Sequence, residues 1–119
     1  MWDVITTDSF DNWFDALDNT SRASVIAGMI LLQEKGPHLS RPYADTLYNS
    51  KHANMKELRI QSKGDPLRAF FAFDPDRKGV LLCAGNKVGD EKRFYKRMIP
   101  IADKEYSDHL KAGHLNNRS

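Results

Sequence analysis

With 119 residues, 40% of them hydrophobic and 29% charged, the chain has material for one modest core and none for a second domain. A single cysteine, Cys83, excludes an internal disulfide and a Cys-based zinc site. The net charge of +2 is unevenly spread: residues 1–50 hold three Lys/Arg against seven Asp/Glu, residues 51–97 hold twelve against six, and a basic middle suits contact with a polyanion. No leader or membrane-spanning apolar run is read near the start, so a cytoplasmic protein without membrane contact is expected.

Trp2–Thr7 alternates weakly and reads as a first strand. Thr7-Asp8-Ser9 offers a helix cap, followed by Phe10, Trp13, Phe14 and Leu17 at helical spacing. A second helix, capped by Thr20 or Ser21, carries Ala23, Val25, Ile26, Met29, Ile30 and Leu32 until Gly36-Pro37 stops it. Residues 38–54 show no sustained period and read as a long loop with room for one helical turn, a length that in compact domains often marks function. His38 and His52 within it read as ordinary surface histidines.

Three strands follow in quick succession. In 55–61, Leu58 and Ile60 share one face, Glu57 and Arg59 the other; Ser62–Pro66 is the turn. In 67–73, Leu67, Ala69, Phe71 and Phe73 lie opposite Arg68, Phe70 and Ala72, and 74–79 turns again. Val80–Ala84 is apolar on both faces, which predicts a central strand with Cys83 as a buried, inert thiol. A helix from Asp90 carries Phe94, Met98, Ile101, Ala102 and Leu110 along one side, and Pro100 is expected to kink or restart it. Residues 1–112 read as one domain, with 113–119 as a flexible tail.

The order is strand, helix, helix, three strands, helix, an α+β arrangement in which two helices cover one face of the sheet and leave the other partly open. Each of the three consecutive strands carries a cation that an apolar strand does not need: Arg59, Arg68 and Lys87. Burying cations without partners is costly, so they are placed on the open face, toward water, acids or a polyanion. Structural alternatives stand beside these readings, and a strand-end lysine such as Lys87 can simply be solvated. Glu57 and Arg59 can form an ion-pair lattice, Lys56 can snorkel at the edge of the Leu58 face, and Phe70 can be core beneath the last helix.

The pieces Met55-Lys-Glu-Leu-Arg59, Arg68-Ala-Phe-Phe-Ala-Phe-Asp-Pro75, Val80-Leu-Leu-Cys-Ala-Gly-Asn-Lys87, Tyr95-Lys96 and Ile99-Pro-Ile-Ala-Asp103 resemble the RelE/ParE superfamily of bacterial toxins, in particular its phage-derived, HigB-like subgroup. The resemblance runs from the first helix pair to the last helix. It implies a RelE-like fold, a small antiparallel or mixed sheet packed against two N-terminal helices, with a C-terminal helix. It also implies a type II toxin–antitoxin system, with a helix-turn-helix antitoxin through which the complex binds operator DNA. RelE- and HigB-like members cleave mRNA in the ribosomal A site.

Cleavage by internal 2′-OH attack needs a base, cations around the phosphate and an acid for the leaving oxygen, and neither a metal nor another cofactor is expected. On that reading Arg59 and Arg68 clamp the phosphate, Lys87 stabilises developing charge, and Tyr95 or Lys96 moves a proton. Arg93, Lys56 and Phe70 are the candidate RNA contacts. The acid and base stay unassigned, because His109 and His114 lie too far along the last helix to match the histidine cluster of some HigB relatives. Two other readings keep these residues but change the function: a ParE-like gyrase poison without RNA chemistry, or a binding module whose cations only neutralise phosphate.

Overall fold

Turn and cap chemistry fixes most of the elements. The computed structural model describes residues 1–116, with side chains to Gly113. After β1 (Val4–Thr6), Thr7 caps α1 (Asp8–Asp15): its hydroxyl accepts from the Phe10 N–H and donates to the Leu82 carbonyl, tying the helix start to the sheet. Asp18, not Thr20 or Ser21, caps α2 (Asn19–Lys35), accepting from the Ser21 N–H. Gly36 ends α2 at φ +56°, where a Cβ would enter the Trp2 indole, so only glycine fits.

The presumed loop contains a further short strand, β2 (Ala44–Thr46), paired antiparallel to β3 (Lys56–Ser62). A three-residue edge strand is too short to show a period, which is why the sequence conceals it. β4 (Asp65–Phe73) follows a two-residue turn, with Lys63 at φ 53° and Gly64 at φ 83°. Positive φ at both central positions twists the hairpin in the native sense, so Ser62 and Asp65 already pair. β5 (Gly79–Asn86) completes a sheet ordered β1-β5-β4-β3-β2, antiparallel except for β1 against β5. The central placement read from its apolar run is correct.

The sheet carries a helix layer on each face. On one, α1 lies over β5 and α2 over β3, enclosing Phe10, Val25, Leu32, Leu58, Ile60, Phe71 and Leu81. On the other, α3 (Glu91–Asn116) packs on β5 and β4 around Met55, Phe70, Leu82, Phe94, Met98 and Tyr106. This second face is therefore largely covered. α3 passes through Pro100 without a break and runs beyond Gly113 to Asn116; residues 117–119 of the expected tail lie outside the described residues. Packing of Met98, Ile99 and Ala102 on the sheet holds both sides of the proline in one helix, whereas Ile101, read as inward, is 40% exposed. No helix among the described residues is long and apolar enough to cross a membrane.

One irregularity decides which side chains reach the second face. A bulge between β4 and β5 sets Phe70 opposite Cys83 but Phe71 opposite Leu81. Val80 and Leu82 face α3 before the bulge; Cys83 faces it afterwards, and Gly85 lies beneath Phe94. The shift of one residue turns Lys87, rather than Asn86, toward the α3 side.

A candidate nucleic-acid interface

Where α3 rises away from β2 and β3, it leaves a groove of about 1180 Å³. One wall is the α3 stripe that begins at Lys92, Tyr95 and Lys96. The other is the sheet edge with Arg41, Asp45, Glu57 and Arg59, continued by the segment from Leu47 to Lys51. Eight Lys or Arg residues line it against five Asp or Glu.

Every one of those five acids is engaged. Arg41 reaches Asp45 at 2.6 Å, Lys87 reaches Glu91 at 3.2 Å and Lys104 reaches Asp108 at 2.8 Å, each four residues apart. The hydrogen bond from Arg41 holds the Asp45 carboxyl below its ordinary value, as that from Lys104 does for Asp108. Glu57 and Asp103 are taken up by polar groups of the fold. Lys51, Arg59, Lys92, Lys96 and Lys111 line the groove with no ion-pair partner among the described residues. A surplus of unpaired cations in a concave site draws polyanions and repels polycations.

Beneath the groove lies a buried polar triad. The Tyr95 hydroxyl donates to Glu57 Oε1 at 2.6 Å, and Arg68 Nε lies 3.8 Å from the same oxygen. Burial and the bond to Glu57 together push the Tyr95 phenol far above its ordinary value, so it stays protonated. Lys87 Nζ lies 5.8 Å from the centre of the Tyr95 ring, and its side chain is only 14% exposed. Lys87 is thus a semi-buried charge held against Tyr95 and Glu91.

The sequence candidates divide accordingly. Arg59, Lys87, Tyr95 and Lys96 come together along the groove. Arg68 does not share an open face with them: it is 4% exposed, donates to the Leu67 carbonyl, and has its Nε without a hydrogen bond. Phe70 is fully buried between Phe94 and Tyr95, so no base can stack on it in this arrangement. Both placements change for one reason, that α3 covers the middle of the face expected to be open. Lys56 points to the α2 side, with Nζ 3.4 Å from the Pro37 carbonyl oxygen. Arg93 is exposed on α3 but outside the groove lining.

His52 is not an ordinary surface histidine. It packs edge-on against Tyr106 and bonds Ser107 Oγ at 3.0 Å, while His38 is exposed. His109 pairs with Asp74 at 2.8 Å, apart from the groove. Burial pushes the Cys83 thiol up to about 12, as an inert core thiol requires. Among the described residues no group of three or more His, Cys, Asp or Glu is placed to hold a metal ion. The groove residues that sequence reasoning passed over are Arg41, Lys51, Lys92, Lys104 and Lys111. The last three recur with Lys96 at helical spacing, a signal that in sequence is the same as an ordinary solvated helix face.

Residues 12–107 match the model of the phage-derived Gp49-like proteins. The chain belongs to that family. It is 42% identical over 111 residues to HigB3 of Mycobacterium tuberculosis, named as a candidate toxin, covering 93% of this chain and 96% of that protein. HigB2 of the same organism is also 42% identical, over 99 residues that span 82% of this chain and 49% of the relative. In fold the chain is similar to isolated Escherichia coli RelE (TM-score 0.58, 11% identity, 82% of this chain and 99% of RelE). It is also similar to RelE in the RelE–RelB complex of Pyrococcus horikoshii (TM-score 0.56, 11% identity, 75% and 98%). The Gp49-like chain is a HigB-type toxin homologue on a RelE fold, as its Glu-Leu-Arg and Arg-x-x-Phe strands imply.

Proposed function

We propose that the groove binds single-stranded RNA and that the protein is an endoribonuclease of the HigB/RelE kind, cutting mRNA on the ribosome. The observation that carries this is the pairing pattern of the groove: each acid is engaged while five cations from both walls have no ion-pair partner among the described residues. Arg59 and Lys96 hold the scissile phosphate and its neighbours, and Lys87 adds positive charge from the floor as a second negative charge develops. Arg68 acts through Glu57, supplying a buried charge that keeps the carboxylate in place.

Glu57 takes the 2′-OH proton as the 2′ oxygen bonds phosphorus, and the 5′ oxygen leaves with a proton from Lys96, giving a 2′,3′-cyclic phosphate. Both Tyr95 and Arg68 engage its Oε1, which leaves Oε2 as the acceptor on a groove-lining side chain. Tyr95, held as a neutral phenol, positions Glu57 and cannot itself be the base. An antitoxin partner is proposed from the family, and with it the ribosome as the site of action and operator binding through the antitoxin.

Purified protein added to a translating extract tests the reading. Discrete cuts within translated mRNA, lost with Arg59→Ala and with Glu57→Gln, support it. Intact mRNA with a loss of gyrase supercoiling points instead to the ParE-like activity, and RNA binding without cuts leaves a binding module.

A further inference from the structure

Asp103 presents a physical puzzle. It sits on the groove-lining stripe of α3, where a negative charge opposes a phosphate chain, yet it is only 6% exposed. A buried carboxylate persists only when its oxygens are satisfied. Here both are: Oδ1 accepts from the Ser50 hydroxyl, and Oδ2 accepts from the Lys51 backbone N–H at 3.1 Å. The same Ser50 oxygen accepts from the His52 N–H at 3.0 Å, and His52 Nε2 bonds Ser107 one turn further along α3. Asp103 therefore engages the segment opposite, which carries Lys51, a groove cation with no ion-pair partner among the described residues.

We infer that Asp103 is a positioning residue that pins the Ser50–His52 segment to α3 and so holds the Lys51 ammonium where it meets the RNA backbone. The inference rests on the groove being an RNA site, and it carries a distinctive sign. Removing a negative charge from a cationic groove strengthens phosphate binding on Coulomb grounds alone. Loss of the pin weakens it, because Lys51 is released from its place and its ordering cost returns on binding.

Two measurements on the 119-residue chain decide the matter. In Asp103→Ala neither the Lys51 N–H nor the Ser50 hydroxyl keeps its acceptor, and hydrogen exchange at Lys51 should speed up at least about 10-fold, the scale of one charge-assisted hydrogen bond. Affinity for a short, uncleavable 2′-O-methyl oligoribonucleotide should fall several-fold, and the loss should be non-additive with that of Lys51→Ala. If Asp103→Ala folds poorly, Ser50→Ala removes the hydroxyl that ties the segment to Asp103 Oδ1 and should move both readouts in the same direction by a smaller amount. Binding that tightens or stays unchanged, or losses that simply add, overturns the inference. A wild-type protein that binds no RNA overturns the functional reading. The exchange measurement then still decides the pin, since unchanged protection at Lys51 refutes it without RNA.

Discussion

The two faces of β4 begin from the same strand and end with different tasks. Leu67, Ala69 and Phe71 point into the layer under α1 and α2, where the core is apolar and a Ser21–Ser62 hydroxyl pair at 2.8 Å is a buried polar contact. Arg68, Phe70 and Ala72 point toward α3, into a core that also holds Glu57, Tyr95 and Asp103. The first face gains stability from simple apolar burial. The second gives some of that up by burying charges, and in return obtains a rigid floor beneath a cationic groove. A variant should therefore affect stability or RNA handling according to its face.

The largest effect is expected on the apolar side. Phe71→Ala, at a fully buried ring, should cost about 3–5 kcal/mol in urea unfolding. Next comes the triad: Glu57→Ala leaves Arg68 as an uncompensated buried cation and should cost about 3 kcal/mol. Pairing Glu57→Leu with Arg68→Met should recover most of that stability but no RNA cleavage. A double variant that cleaved normally would falsify a catalytic role for the triad. Arg68→Ala alone is expected to destabilise as well as inactivate, so its loss of toxicity must be measured beside its unfolding curve.

A smaller effect concerns pH. The folded-state value of Tyr95 is raised, so its contribution is intact below pH 10, the ordinary phenol value. As pH rises past 10, the unfolded chain gives up the phenolic proton while the folded chain keeps it, and stability declines. Tyr95→Phe should be less stable at neutral pH yet lose less between neutral and strongly alkaline conditions. Equal alkaline slopes in the two proteins would remove the buried phenol from the account.

The smallest changes in stability sharpen the contrast most. Lys96→Ala should alter unfolding by less than about 0.5 kcal/mol. It should nonetheless weaken single-stranded RNA binding several-fold and lower the salt-dependence slope by about 0.7, the share of one phosphate contact. Arg93→Ala, exposed on the same helix but outside the groove, should change affinity by no more than about 2-fold. Equal losses in both variants would mean that net charge, not the groove, governs binding.

Much of this was legible in the chain. Alternation separated Leu58 and Ile60 from Glu57 and Arg59, the apolar run of Val80–Ala84 located a central strand, and the motif strands carried the family resemblance. Arg59 and Lys87 stand out, with Arg68, because cations in or beside apolar strands need a reason, and Tyr95 and Lys96 stand out through the resemblance. The set was incomplete. Lys51 lies in a segment with no period, and Lys104 and Lys111 belong to the polar side of a helix that reads as surface. Their joint position depends on how far α3 stands from the sheet edge.

Local chemistry thus determined the elements, most of the apolar core and the family, since periodicity, caps and turns act over a few residues. The docking of α3 decided the rest: it buried Arg68 and Phe70, drew Glu57, Tyr95 and Asp103 beneath a groove, and brought Lys51 and Lys96 to line it together. So did the bulge between β4 and β5, which aims Lys87 and leaves no mark in composition. Such outcomes depend on contacts between residues distant in sequence, whose balance of burial against charge no local pattern encodes.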